Sequence, residues 1–304
     1  MIKSVITDQI SMDLEEALKK AKYLSYNAVE IHSLWGKTIE ELTNEEVGRA
    51  KELLDKYNMN LSCLSTTLFF ICPLYETYSI ENFNPKFLVS TGDYKSHLEK
   101  LKRSAEISKA LNASCIRIFP FRAPNDKSLI GNTEDIENIT LKLNKAVEIA
   151  KNHDVILVLE NCPHSYLPKG IMTKKVFDNI NSPNLKLLWD PGNSFRAPIN
   201  IIPQEHKNIS LIDELRIIYH NIEHIHLKDY LKISKDKHQT TLSKNLREFE
   251  HTVFGQGSIN FELLLDELKK LRYSKYLSLE PEVSKEDTIN SMKFLTKMLN
   301  KKFN

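Results

Sequence analysis

Four consecutive apolar runs in the C-terminal half of the chain end in a carboxylate or carry an imidazole: Val155 to Leu159 leading into Glu160-Asn161, Leu185 to Trp189 leading into Asp190-Pro191-Gly192-Asn193, His224-Ile225-His226-Leu227-Lys228-Asp229, and Tyr276 to Leu279 leading into Glu280-Pro281-Glu282. A single acid at the end of a strand usually caps a helix or meets solvent. Four in succession suggest a shared site. Strand alternation puts Glu160 in phase with Val158 and Ile156, Asp190 with Leu188, Glu280 with Ser278, and His226 with His224 and Lys228, so all four can face one interior. Three carboxylates that converge with an imidazole repel one another unless a cation or shared protons intervene. Hard oxygen donors plus one imidazole suit a single Mn²⁺, with Mg²⁺, Co²⁺ or Zn²⁺ as alternatives. Cys162 is displaced from Glu160 into the following loop and reads as a structural thiol.

Such a convergence needs strands arranged around a common axis. Short β-branched or leucine-rich runs recur at Val5-Ile6-Thr7, Ala28 to Ile31, Asn60 to Leu64, Cys115 to Phe119, Val155 to Leu159, Leu185 to Trp189, His224 to Leu227 and Tyr276 to Leu279. Amphipathic stretches alternate with them, among them Leu14, Ala17, Leu18, Ala21 and Leu24, and a helix opened by the capping box Thr43-Asn44-Glu45-Glu46. Eight strands alternating with helices predict a (β/α)8 TIM barrel, an α/β fold with a parallel eight-stranded barrel. The competing doubly wound sheet usually opens on a glycine-rich first turn, and none follows Val5 to Ile10.

Composition agrees with one large globular unit. The chain has 304 residues, 41% hydrophobic and 27% charged, with only eight glycines and no Pro/Gly/Ser-rich linker, so residues 1–304 read as a single barrel domain. A formal charge of +2 gives no signal for nucleic acid or a membrane surface. Four scattered cysteines without a C-x-x-C pair, and an N-terminal stretch without a long apolar run, make a reduced, cytoplasmic setting the expectation. Two connections exceed what a barrel needs, Thr66 to about Asp93 and Tyr230 to Gly255. Both follow strands and so belong to the catalytic face. The first, with Leu68, Phe69, Phe70, Tyr75 and Tyr78, is expected to cover a substrate; the second, with Lys244, Asn245 and Arg247, reads as solvated surface or a phosphate contact.

The ordered set Leu-x-Leu-Glu160-Asn161, Trp-Asp190-Pro-Gly-Asn193, His226-Leu-Lys228-Asp229, Gly255-Gln-Gly257-Ser-Ile259 and Leu-Ser-Leu-Glu280-Pro resembles the xylose isomerase-like superfamily of metal-dependent TIM barrels, the sugar phosphate isomerases and epimerases. The superfamily also holds hydroxypyruvate isomerases, inosose dehydratases and endonuclease IV. The resemblance implies that Glu160, Asp190, His226 and Glu280 bind one divalent metal and that Glu160 and Glu280 also move protons. Asn193 is a departure, because epimerases of the superfamily often carry a histidine there; an amide hydrogen-bonds but does not titrate.

Proton removal beside a carbonyl creates an enediolate whose charge needs stabilisation, and a metal chelating the carbonyl and hydroxyl oxygens provides it. Two carboxylates on different sides of a substrate allow epimerisation, one base shuttling a proton between carbons gives aldose–ketose isomerisation, and a leaving hydroxyl gives dehydration. Asn193, Lys228, His164 and Asn161 are candidates for substrate oxygens, and Trp35 for an apolar wall against a sugar. His224 reads as a packed, hydrogen-bonded barrel residue. The expectation is a metal-dependent isomerase or epimerase acting on a small sugar, sugar phosphate or polyol, with no nucleic-acid or membrane partner and with the oligomeric state, a homo-oligomer included, left open. The alternatives are an inosose-type dehydratase on the same site and an endonuclease IV-like abasic-site nuclease, whose three-zinc chemistry needs histidines that the run Cys115 to Phe119 and position 193 lack.

Overall fold

A computed structural model describes residues 1–78, 87–124, 129–233 and 248–303. Eight strands form one parallel sheet: β1 (Ile2–Val5), β2 (Ala28–Ile31), β3 (Asn60–Leu64), β4 (Ile116–Ile118), β5 (Leu157–Glu160), β6 (Leu185–Trp189), β7 (Ile222–Leu227) and β8 (Tyr276–Leu279). Neighbours run β1, β8, β7, β6, β5, β4, β3, β2, with Ile2 opposite Tyr276 and Val5 opposite Leu279. A parallel bridge between Ile6 and Glu30 brings the two edges together and turns the sheet into a barrel. This is the (β/α)8 arrangement that the alternation of runs predicts.

The first strand lies earlier than the apolar run Val5-Ile6-Thr7 suggests. Lys3 and Ser4 interrupt its apolar pattern, yet the Ser4 hydroxyl is buried against Ser62 Oγ at 2.7 Å, a polar pair inside the ring. Thr7–Ile10 is instead a short helical turn. Inside the barrel Cys63, Cys115, Val158 and Leu188 pack together with Ile156; the larger core lies between the outside of the sheet and the helices.

Side chains set the helix starts. Asp13, Asp93, Asn132, Ser210 and Asn260 each accept the backbone N–H three residues on, and Thr43 with Glu46 forms the full capping box of the helix Asn44–Lys56. With so few glycines, Asn112, Asp154 and Asn181 take the left-handed position that ends three helices, at φ of 54°, 53° and 41°. Of the two long connections, the first buries Leu68 and Phe69, with Phe69 set against Tyr94, His97 and Phe121. The second opens and closes with an antiparallel pair, Asp229–Lys232 against Phe249–Thr252; Lys244, Asn245 and Arg247 lie outside the described residues.

Candidate metal centre and active site

Glu160 is the last residue of β5, Asp190 and Glu280 directly follow β6 and β8, and His226 is the penultimate residue of β7. All four therefore sit at the C-terminal ends of their strands, and one potential ligand atom from each lies within 4.8 Å of all the others. Asp190 is also held in place as a helix cap, because its Oδ1 accepts the Asn193 N–H at 2.8 Å at the start of the short helix Pro191–Phe195.

Two cations bridge the carboxylates and offset their mutual repulsion. Arg117, pointing inward from β4, donates from Nη1 to Glu160 Oε2 at 3.1 Å and to Glu280 Oε1 at 3.2 Å, and is anchored by the Ser65 and Thr66 carbonyls. Lys228 Nζ lies 2.6 Å from Glu280 Oε2, 3.0 Å from Glu282 Oε1 and 3.0 Å from Asp190 Oδ2. The contact to Asp190 is an ion pair without hydrogen-bond geometry, which leaves that oxygen buried and open to another partner.

Glu30, wholly buried on β2, organises the other side of the centre. Its carboxylate takes His224 Nε2 at 3.0 Å and His226 Nε2 at 2.9 Å, with Ser65 Oγ donating as well. His226 Nδ1 is thereby turned toward Glu280 Oε2 at 3.2 Å and Glu160 Oε2 at 3.8 Å. Holding one imidazole nitrogen with a carboxylate is the usual way to present the other to a metal. Burial alone would raise the Glu30 pKa, but the two imidazoles outweigh it and hold the carboxyl well below the usual range.

The two glutamates facing His226 Nδ1 are not equivalent. Burial, reinforced by the Glu280 charge and opposed by Arg117, pushes the Glu160 carboxyl up to about 7. Burial also pushes Glu280 upward, yet Lys228, His226 and Arg117 hold it well below the usual range. Asp190 is raised, by burial and by Glu280. These groups fit a divalent ion: the donors are three carboxylates and an oriented imidazole, one Asp190 oxygen lacks a hydrogen bond, and carboxyls pushed upward are those that a cation would keep ionised.

The centre opens into a cavity of about 440 Å³. Asn193, His164 and Lys228 line it with Glu160 and Glu280, and Thr67, Phe70 and Phe87 of the first long connection form part of its wall. The described part of that connection thus reaches the cavity, and residues 79–86 fall outside the description. Asn193 donates to Glu160 Oε1 at 3.0 Å and leaves its own Oδ1 buried without a partner. Burial, aided by the positive charges of Arg122 and Arg196, pushes His164 down to about 4.

Two expected substrate contacts are elsewhere. Asn161 is spent on the scaffold: its amide donates to the carbonyls of Pro168 and Asp190 and to Ser194 Oγ, and its Oδ1 accepts the Asp190 N–H. Trp35 follows the strand Ser33–Leu34 in a tight antiparallel turn, at a φ of 52°, which carries its ring away from the cavity to lie under Arg49. Sequence reasoning missed Glu30, Arg117 and Arg196. The first two had a visible signal, a lone charge in the middle of an apolar strand.

Asp229 secures the rim. Its carboxylate accepts the backbone N–H groups of Tyr230, Gly255, Gly257 and Ile259 at 2.9 to 3.3 Å, tying the return of the second long connection to the end of β7. A Cβ on Gly257 would strike that carboxylate, so the close approach requires glycine.

A family model described as xylose isomerase-like TIM barrel matches residues 18–298. The inosose dehydratase of Clostridium botulinum (strain Alaska E43 / Type E3) is 28% identical over 161 residues, which is 50% of this chain and 48% of that protein. The chain spans about half the length of the curated relatives it matches. Among solved structures, the IolI protein with a bound zinc atom superposes at a TM-score of 0.72 with 17% identity, covering 100% of both chains. The D-allulose 3-epimerase of Methylomonas sp., in complex with D-allulose, gives 0.70 with 14% identity, covering 100% of this chain and 97% of that one. At such identities the structural likeness is one of fold.

Proposed function

Because this chain belongs to the xylose isomerase-like TIM barrel family, we propose that it is a metal-dependent isomerase or epimerase of a sugar or sugar phosphate, acting by proton transfer next to a carbonyl. The observation that carries this reading is the convergence of Glu160, Asp190, His226 and Glu280 at one end of the barrel, with their donor atoms within 4.8 Å. These four would hold one divalent ion. Mn²⁺ is the preferred metal from the mostly hard-oxygen donor set, and a zinc-bound structural neighbour makes Zn²⁺ the main alternative. When bound, the ion supplies Lewis acidity that makes a hydrogen beside a carbonyl removable near neutral pH.

The chain's own groups do the rest. Glu160 and Glu280, on different strands facing the cavity, take up and return the substrate proton. Arg117 restrains both carboxylates, Lys228 steadies Glu280 and Asp190, and Asn193 offers its unpartnered oxygen to a substrate hydroxyl. Phe70, Phe119 and Phe87 keep water from one wall. The four cysteines, all free and buried, are consistent with a cytoplasmic setting.

A second reading, inosose-type dehydration on the same centre, is favoured by the relative from Clostridium botulinum. The experiment is metal analysis of the purified protein followed by a proton-exchange screen in D₂O with ketoses, inososes and their phosphates. Exchange with product of altered configuration or carbonyl position supports the main reading; loss of water from an inosose supports the second; no exchange with any of them removes both.

A further inference from the structure

Arg196 stands directly after the short helix Pro191–Phe195, its N–H bonded to the Gly192 carbonyl at 3.1 Å, and its side chain lines the same cavity. The other two cations of that wall are occupied: Arg117 by Glu160 and Glu280, Lys228 by Asp190, Glu280 and Glu282. Arg196 is different. Among the described residues no carboxylate lies within ion-pair distance of it, its Nε is buried without a hydrogen-bond partner, and its guanidinium rests over the Tyr230 ring, 4.9 Å from the centroid. The nearby Glu282 is engaged by Lys228 and, at 3.3 Å, by His251.

A guanidinium held in place by a buried aromatic face, with an Nε edge unused, offers two parallel donors to an oxyanion. Leaving that edge empty in a partly buried wall costs stability, as any unmet buried donor does. His164 lies on the same wall and is kept neutral, so it adds a hydrogen-bonding group without competing for charge.

We propose that the substrate carries an oxyanion group, a phosphate ester or a carboxylate, in addition to the carbonyl and hydroxyl carbons that react, and that Arg196 binds it. The inference rests on reading the cavity as a substrate site. It places the anion contact on the segment after β6 and not on the Lys-rich connection.

The test is equilibrium binding, which needs no turnover. Protein loaded with Mn²⁺ is titrated calorimetrically with D-fructose 6-phosphate against D-fructose, and with D-galacturonate against D-galactose, so the two arms separate phosphate from carboxylate. The expected result is that in one arm the anion binds at least about tenfold tighter than its neutral match, the usual worth of a charge-assisted pair. Arg196→Gln should abolish that advantage, and Arg196→Lys, which keeps the charge but not the fork, should retain part of it at unchanged metal content. If Arg196→Gln fails to fold, the Lys variant decides: an undiminished advantage overturns the proposal. Equal binding of anion and neutral match in both arms, an advantage that survives Arg196→Gln, or no binding of any probe also overturns it. An advantage that depends on Arg196, found in a protein that exchanges no substrate hydrogen in D₂O, keeps this inference and sinks the proton-transfer reading.

Discussion

Glu30 Oε1 lies 2.9 Å from His226 Nε2, although their strands, β2 and β7, are separated around the barrel by β1 and β8. The bond crosses the interior and aims the other imidazole nitrogen at the carboxylates. Glu30→Gln places an amide there, one end of which opposes an imidazole N–H. The expected outcome is a loss of roughly 10- to 100-fold in metal affinity, read by calorimetric Mn²⁺ titration, with the circular dichroism spectrum of the wild type. Unchanged affinity would show that His226 does not need this partner.

Glu160→Gln and Glu280→Gln should each lower kcat by roughly 10² to 10⁴, the usual worth of a positioned acid or base. Hydrogen exchange with D₂O, measured apart from turnover at saturating Mn²⁺, separates the mechanisms. In an epimerase one variant still exchanges from one side while making no product. In a single-base isomerase one variant loses exchange altogether and the other loses mainly metal affinity. Near wild-type turnover in both variants removes these glutamates from the chemistry.

The four strand-end groups were legible because three of them terminate an apolar run and His226 lies one residue before the end of its own, and in a barrel the ends of runs meet. Glu30 and Arg117 were harder to assign, since a single charge inside a three- or four-residue strand gives no clue to its partner, which here comes from strands far away in sequence. Trp35 and Asn161 were misplaced for a related reason. Whether an aromatic beyond a strand faces the cavity depends on a two-residue turn, and an amide beside a ligand can be consumed by backbone groups that no pattern of residue types displays.

Phe87, 42% exposed, stacks on His32 with ring centroids 5.2 Å apart at the cavity wall. Phe87→Ala should raise KM by about threefold to tenfold through lost apolar contact. Thermal stability should stay within about 0.5 kcal/mol, as expected for a surface truncation. Steady-state kinetics with an accepted substrate and a melting curve check both halves; an unaltered KM would mean that this connection does not cover the substrate.

His97 is buried in the helix Tyr94–Leu111 and accepts the Phe69 N–H at Nδ1, at 3.2 Å; burial pushes its pKa from 6.5 down to about 4. A depressed histidine pKa favours the neutral form in the fold, so its stabilisation is complete above about pH 6.5 and is lost as the pH falls toward 4. The penalty of His97→Gln should therefore be about 2 kcal/mol smaller at pH 5 than at pH 7, measured by urea unfolding of both proteins. A penalty independent of pH would exclude this linkage.

Gly257→Ala drives a methyl group into the Asp229 carboxylate and strains the backbone bonds it gathers. The expected cost is roughly 1 to 3 kcal/mol, visible as a lower melting temperature. Retention of wild-type stability would mean that the rim can shift without loss.

β1 hydrogen-bonds to β8, the last barrel strand to be synthesised, and reaches β2 at the Ile6–Glu30 bridge. The ring is therefore sealed at the residue that orients His226. A nascent chain that has released everything up to β7 already owns Glu160, Asp190, His226 and both residues of the Ile6–Glu30 bridge, but it lacks Glu280 and the strand that joins β7 to β1. If the four groups hold an ion, high affinity for it would be acquired only with the last strand, so a product truncated before β8 should bind Mn²⁺ more weakly in equilibrium dialysis than the full chain.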